Sequence, residues 1–194
     1  FFMRRKRWLG LILAVIMVFT MTPPTAFGAD DAAFEVIATD GTSAQYTDVK
    51  EARNAMQDGY TLKLLKDYVS TSDYNFGISL DEHDITIDMN GYSITSNNAG
   101  SSSNGYALKL AQKSGNARDN TVTIKNSSTT KQSVLASSSY QIITSSGNSN
   151  YNQIIKIEGD IVFRDIDGET PLGIELGTGA KLLDTDSARA LVPN

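Results

Sequence analysis

The feature of this sequence that most constrains its fold is a short unit that recurs from residue 60 onward. Each unit has apolar residues at alternate positions, a bend of glycine or polar residues, and a second short apolar run. The second apolar positions of the five units are Leu64, Ile87, Ile124, Ile157 and Leu176. Such alternation predicts β-strands, and its recurrence predicts a chain that coils through similar turns. The coil predicts that Ile87, Ile124 and Ile157 stack in register on one inward-facing sheet.

One of the bends also carries a strong local signal for a β-hairpin. Asn90-Gly91 separates the alternating residues of 85–89 from those of 92–95, and Asn-Gly is a preferred dipeptide of two-residue hairpin turns. A hairpin here would favour an antiparallel sandwich that serves as a binding module. Because the other four units bend without Asn-Gly, we favour the repeated coil.

The N-terminal residues have the pattern of a secretory signal peptide. Arg4–Arg7 is basic, Leu9–Met21 is mostly apolar, and the small residues Ala26 and Gly28 suit a cleavage site. This pattern predicts a signal peptide over residues 1–28. Its apolar run is shorter than the roughly 20 residues that span a bilayer. The mature form is therefore predicted to be secreted or held at the cell surface without spanning a membrane.

Composition excludes several classes of partner and chemistry. After residue 28 the chain carries 13 basic and 22 acidic residues, a formal charge of −9. That charge disfavours nucleic acid and anionic lipid, which bind basic patches. The absence of cysteine removes disulfides, thiol catalysis and cysteine-based zinc sites. Residues 29–194 are enough for one core, so they are predicted to form a single domain.

One segment has a helical pattern of apolar residues. Val49, Ala52 and Met56 fall on one face at helical spacing, and either Thr47 or Asp48 can cap the first turn. The sequence therefore predicts an amphipathic helix over residues 48–58.

The order of this helix, Asp58–Lys66 and Ile85–Ile94 resembles the start of exported bacterial right-handed parallel β-helix proteins of the pectin-lyase-like superfamily. The resemblance covers about residues 45–184. It implies an all-β fold, a right-handed parallel β-helix (solenoid) whose N-terminal end is capped by the amphipathic helix. It also implies that residues 29–194 are the N-terminal part of a longer β-helix domain, truncated at the C-terminus. Members of the superfamily include adhesin-like surface proteins and polysaccharide-active enzymes.

The densest cluster of ionisable residues lacks the catalytic pattern of those enzymes. The cluster comprises Asp81, Glu82, His83, Asp84 and Asp88, and a solvated turn favours such residues. The enzymes of the superfamily combine paired acids with a histidine and an Arg-x-Lys, or calcium-binding acids with a catalytic arginine. The coils here have a single histidine, no Arg-x-Lys and arginines that stand apart in sequence. We therefore assign no catalytic residue.

A second acidic stretch resembles part of a calcium loop. Arg164–Glu169 contains spaced acids, but the glutamate at the twelfth position of an EF-hand loop is absent. We assign no metal ligand, and calcium is the one cofactor left open.

Aromatic residues in the predicted loops indicate the binding of sugars. The inserts at 96–120 and 127–152 carry Tyr106, Tyr140 and Tyr151 among Ser and Asn residues, and they are expected to lie side by side. Tyrosine rings beside neutral hydrogen-bonding groups suit neutral glycans. The sequence thus predicts a non-catalytic, adhesin-like surface module with weak glycan or cell-envelope binding. The alternative is the N-terminal part of a polysaccharide lyase or glycoside hydrolase.

Overall fold

The computed structural model describes residues 31–70, 77–80, 83–96, 106–112, 118–137, 141–146, 151–166, 173–176 and 180–182. The predicted signal peptide lies outside these residues. The described part contains a helix and fifteen strands. Their bounds are α1 (Val49–Ala55), β1 (Phe34–Ile37), β2 (Ser43–Tyr46), β3 (Thr61–Leu64), β4 (Tyr68–Ser70), β5 (Gly77–Leu80), β6 (Ile85–Asp88), β7 (Ser93–Ser96), β8 (Leu108–Gln112), β9 (Asn120–Lys125), β10 (Ser133–Ser137), β11 (Gln141–Ser146), β12 (Gln153–Glu158), β13 (Ile161–Asp165), β14 (Gly173–Leu176) and β15 (Ala180–Leu182).

The strands form three sheets, and from β3 onward each strand enters a different sheet from the strand before it. The first sheet has the order β15-β12-β9-β6-β3-β1-β2, the second β13-β10-β7-β4 and the third β14-β11-β8-β5. We call three consecutive strands, one for each sheet, a round, and β3–β5 is the first round. Equivalent strands of successive rounds pair in parallel.

The core lies between the sheets and is built from aligned aliphatic side chains. Ile87 pairs with Leu62 on one side and with Ile124 on the other, and Ile124 pairs with Ile157. All four are at most 1% exposed. The predicted register of Ile87, Ile124 and Ile157 is therefore confirmed. The first unit was aligned wrongly, because Leu62 and not Leu64 is the partner of Ile87.

Asn90-Gly91 forms a tight turn without forming a hairpin. The Tyr92 amide donates to the Met89 carbonyl over 2.8 Å. Asn90 and Gly91 have φ of 49° and 78°, and positive φ at both central residues characterises a type I′ turn. Yet β6 and β7, on either side of it, belong to different sheets. The hairpin on which the sandwich alternative depended is absent at this turn.

The predicted fold class, an all-β right-handed parallel β-helix closed by a capping helix, is contradicted. The first sheet is mixed, because β1 pairs antiparallel with both β2 and β3. A helix follows that hairpin, so the described residues form a mixed α/β structure in which stacked parallel rounds are only one part. The sequence pattern missed β2 because Ser43–Tyr46 has no alternating apolar run and is partly exposed on both faces.

The helix also differs from the prediction in length and position. Asp48 caps it as expected, accepting from the amides of Lys50 at 2.7 Å and Glu51 at 3.2 Å. It ends at Ala55 rather than near residue 58. It packs on β1 and β2 instead of lying directly over the first round. Ala52 is fully buried there, so the helix covers the antiparallel hairpin.

Candidate functional site

The tyrosines predicted to bind sugar lie on different connections between the sheets. Tyr106 stands two residues before β8, at the entrance to the third sheet, whereas Tyr151 stands two residues before β12, at the return to the first sheet. Both are half-buried, and Tyr140 lies outside the described residues. Strand β11, which belongs to the third sheet, lies between these two connections. Its six residues cover roughly 20 Å, so Tyr106 and Tyr151 do not line the same binding surface.

Four ionisable side chains from separate parts of the sequence converge before strands of the first sheet. The Arg118 guanidinium donates to Asp58 Oδ1 through Nη2, and through Nη1 to Asp84 Oδ2 at 3.1 Å. His83 Nδ1 lies 3.9 Å from the same Asp58 oxygen. Arg118 stands apart from the other arginines in the sequence, but in the structure it bridges two carboxylates while its side chain stays 45% exposed. We call Asp58, His83, Asp84, Arg118 and Asp119 the carboxylate corner.

The acids of this corner are hydrogen-bonded to the backbone of the following round. Asp58 Oδ1 accepts from the Asp84 amide, Asp84 Oδ1 from the Thr121 amide, and Asp119 Oδ1 from the Asn152 amide, each at 2.7 Å. Each acid thus holds the start of the next strand in the first sheet. The amide that Asp84 binds comes from a residue 37 positions later.

The electrostatics of the corner keep its first carboxylate charged. The hydrogen bond from the Asp84 amide lowers the pKa of Asp58; partial burial opposes this effect, and Arg118 and His83 lower the pKa further. The hydrogen bond to Asp84 likewise raises the pKa of Arg118. Asp58 is therefore an anion at neutral pH and holds no proton for general acid catalysis.

Asp88, the other described acid of the predicted cluster, does not join this corner. Asp88 ends β6 and is 5% exposed, with Lys125 Nζ 3.8 Å from its Oδ2. Asp81 and Glu82 lie outside the described residues, as do the acids after Ile166. Among the side chains that the structure describes, no group of three or more His, Cys, Asp or Glu residues is placed to hold a metal ion.

A surface that the sequence analysis missed is the outward face of the first sheet. The hydroxyl-bearing residues Thr61, Thr86 and Thr123 are aligned across β3, β6 and β9. Beside them runs a row whose charges alternate in sign from strand to strand. This row is Glu35, Lys63, Asp88, Lys125 and Glu158.

A sequence signal for this face was present in part. The aligned residues Ile87, Ile124 and Ile157 are each followed by a member of the charged row. Because neighbouring residues of a strand point to opposite faces, that register places Asp88, Lys125 and Glu158 together. We call the threonine row and the charged row the outer face.

Comparison with known proteins adds no relative. Neither the family models, nor the curated proteins, nor the solved structures contain a match to this chain. In the part of the chain that the structure describes, no helix has the length and apolarity needed to cross a membrane.

Proposed function

We propose that this protein is an exported, non-catalytic surface module that binds neutral polysaccharide through the outer face. The observation that carries the proposal is the alignment of Thr61, Thr86 and Thr123 on adjacent parallel strands. Export is proposed from the basic, apolar and small-residue pattern of residues 1–28.

The alignment suits a polymer of repeating hydroxyl groups. Neighbouring strands lie about 4.7–4.9 Å apart, so the threonine hydroxyls form a regular row of donors and acceptors. An extended polysaccharide that crosses the strands would present hydroxyl groups to this row at repeated intervals. The row is held by strands rather than loops, so little conformational entropy is lost when it binds.

The charged row beside the threonines favours a neutral ligand. Part of its charge is already paired, Lys125 with the buried Asp88 and Glu158 with Lys156, so the row offers little charge to a charged polymer. The formal charge of −9 after residue 28 also disfavours polyanions.

The carboxylate corner favours the second candidate, a polysaccharide lyase or hydrolase, because acids, an arginine and the histidine meet there. Two observations weigh against it. Asp58 and Asp84 are hydrogen-bonded to backbone amides, and Arg118 is occupied by both carboxylates. We therefore propose that the corner holds rounds together. Turnover of a polysaccharide that His83→Ala abolished would reverse this assignment.

The test is binding of the full chain to a neutral-glycan array, followed by affinity measurement on any bound glycan. The Thr86→Val, Thr123→Val double variant removes two hydroxyls and keeps the β-branched shape. We expect it to weaken binding by about tenfold or more, because two hydrogen bonds at about 1 kcal/mol each are lost. The matched control, Thr86→Ser with Thr123→Ser, keeps both hydroxyls and should bind like the parent.

A second set of variants separates the outer face from the tyrosines predicted first. Loss of binding in the Tyr106, Tyr140 and Tyr151 alanine variants, with the threonine variants unaffected, would assign the sugar to the loops instead. Failure of the parent chain to bind any glycan would refute the proposed function itself.

A further inference from the structure

The Asn90-Gly91 turn contains a chemically reactive dipeptide whose reacting groups are both hydrogen-bonded. In an Asn-Gly sequence the glycine amide nitrogen can attack the asparagine side-chain carbonyl, because glycine has no side chain to hinder it. The attack forms a succinimide and expels ammonia. Water then opens the ring to aspartate or isoaspartate.

Both groups that take part in ring closure are engaged in the folded chain. The Gly91 amide donates to Asn126 Oδ1 at 2.9 Å. The Asn90 side-chain amide donates to the Leu64 carbonyl at 3.0 Å, so it is tied to the preceding round. Ring closure must break both hydrogen bonds.

Asn126 is itself held firmly. It is 8% exposed, and its Nδ2 donates to the carbonyls of Lys131 at 2.7 Å and Asp160 at 2.9 Å. Its Oδ1 accepts from Ser128 as well as from Gly91. All four hydrogen-bonding positions of this amide are therefore used. We call Asn90, Gly91 and Asn126 the amide corner.

We propose that Asn90 is a deamidation site that Asn126 keeps unreactive, so that the chemistry occurs only when the amide corner opens. Deamidation is not reversed once it has occurred. A carboxylate at position 90 has no N–H to donate to the Leu64 carbonyl and adds a charge beside it. Isoaspartate adds an atom to the main chain of the turn. The hydrogen bond that closes this four-residue turn requires the normal main-chain length. The modified corner then cannot form its original hydrogen bonds. The extent of deamidation therefore reports how often the amide corner has opened, whether or not sugar is bound.

The experiment measures deamidation at Asn90 by peptide mapping and mass spectrometry of the full chain at mildly alkaline pH. We expect the native chain to react at least about tenfold more slowly than the chain unfolded in urea, because both hydrogen bonds must break before the ring closes. Equal rates in the two states would overturn the proposal.

A variant tests the role of Asn126. Asn126→Ala should raise the rate at Asn90 toward the unfolded rate, because one of the two hydrogen bonds that oppose ring closure is removed. The second Asn-Gly of the sequence, Asn104-Gly105, is followed in the same digest and should keep its parental rate if only the corner has opened. An unchanged rate at Asn90 in a folded Asn126→Ala chain would remove Asn126 from the mechanism. If that variant does not fold, the native and urea rates of the parent still decide.

Discussion

Two corners of the molecule join successive rounds by different chemistry. The carboxylate corner uses charged side chains, and those of Asp58, Asp84 and Arg118 are 45–56% exposed. The amide corner uses neutral groups around Asn126, which is 8% exposed. Both link residues far apart in sequence, and both end at backbone groups of a neighbouring round.

The difference in exposure predicts a difference in stability. Water competes for the exposed charges, so their ion pairs add little. A buried amide has no such replacement, and its removal leaves several backbone groups without partners. The amide corner should therefore contribute more to the free energy of unfolding, although the carboxylate corner carries more charge.

The largest effect is expected from Asn126→Ala. The substitution leaves two amides and two carbonyls without the hydrogen bonds that Asn126 makes. It should lower the free energy of unfolding by about 3 kcal/mol, measured by urea denaturation. The matched control is Asn152→Ala at the other corner, where the side-chain amide donates to the exposed Asp119 at 3.3 Å. Equal losses in the two variants would contradict the comparison.

A smaller loss is expected from Gly159→Ala, which tests the packing behind Asn126. Gly159 has a φ of 82°, and an added Cβ would lie 2.7 Å from the Asn126 carbonyl oxygen. The strain and the clash together should cost about 2 kcal/mol or more. Gly41→Ala is the control, because Gly41 has a φ of 85° with nothing within 4 Å of its added Cβ. The difference between the two losses measures the clash alone, and equal losses would show that Asn126 moves freely.

Local patterns in the sequence predicted several local features correctly. The alternation of Ile85 and Ile87 identified β6, and Asp48 was one of two residues expected to cap the helix. The register of Ile87, Ile124 and Ile157 joins distant residues, but it could be predicted because each lies at the same place in a repeated unit.

Features that depend on distant pairing outside the repeated pattern were missed. Arg118 lies 60 and 34 residues from its two partners, and no local pattern indicates such a distance. The antiparallel β2 was missed because it is stabilised by pairing with β1 rather than by its own apolar residues. For the same reason the candidate site could be predicted only in part: the outer face exists only once the register of its five strands is fixed.

The third prediction concerns acid stability at the carboxylate corner. The hydrogen bond from Asp84 lowers the pKa of Asp58 in the folded chain. A lowered folded pKa gives stability that is present above the unfolded pKa, about 3.9, and is lost as the pH falls through the folded value. Asp58→Asn should therefore be less stable than the parent at pH 7 but similar to it in strong acid, as measured by urea denaturation across pH. A constant difference between the two chains over the whole range would refute the assignment.

The smallest effect is expected from Arg118→Gln. Although Arg118 bridges two carboxylates, all three side chains are about half exposed. Asp58 and Asp84 also keep their hydrogen bonds from backbone amides when the guanidinium is removed. The loss of stability should be close to the error of a urea titration at low salt and should vanish at high salt, where exposed charges are screened.

The matched variant is Lys125→Met, because its partner Asp88 has a side chain only 6% exposed and would be left with a poorly solvated charge. Lys125→Met should therefore lose more stability than Arg118→Gln and respond less to salt. The opposite order would mean that the number of ion pairs, and not the exposure of the partner, determines how firmly the rounds are joined.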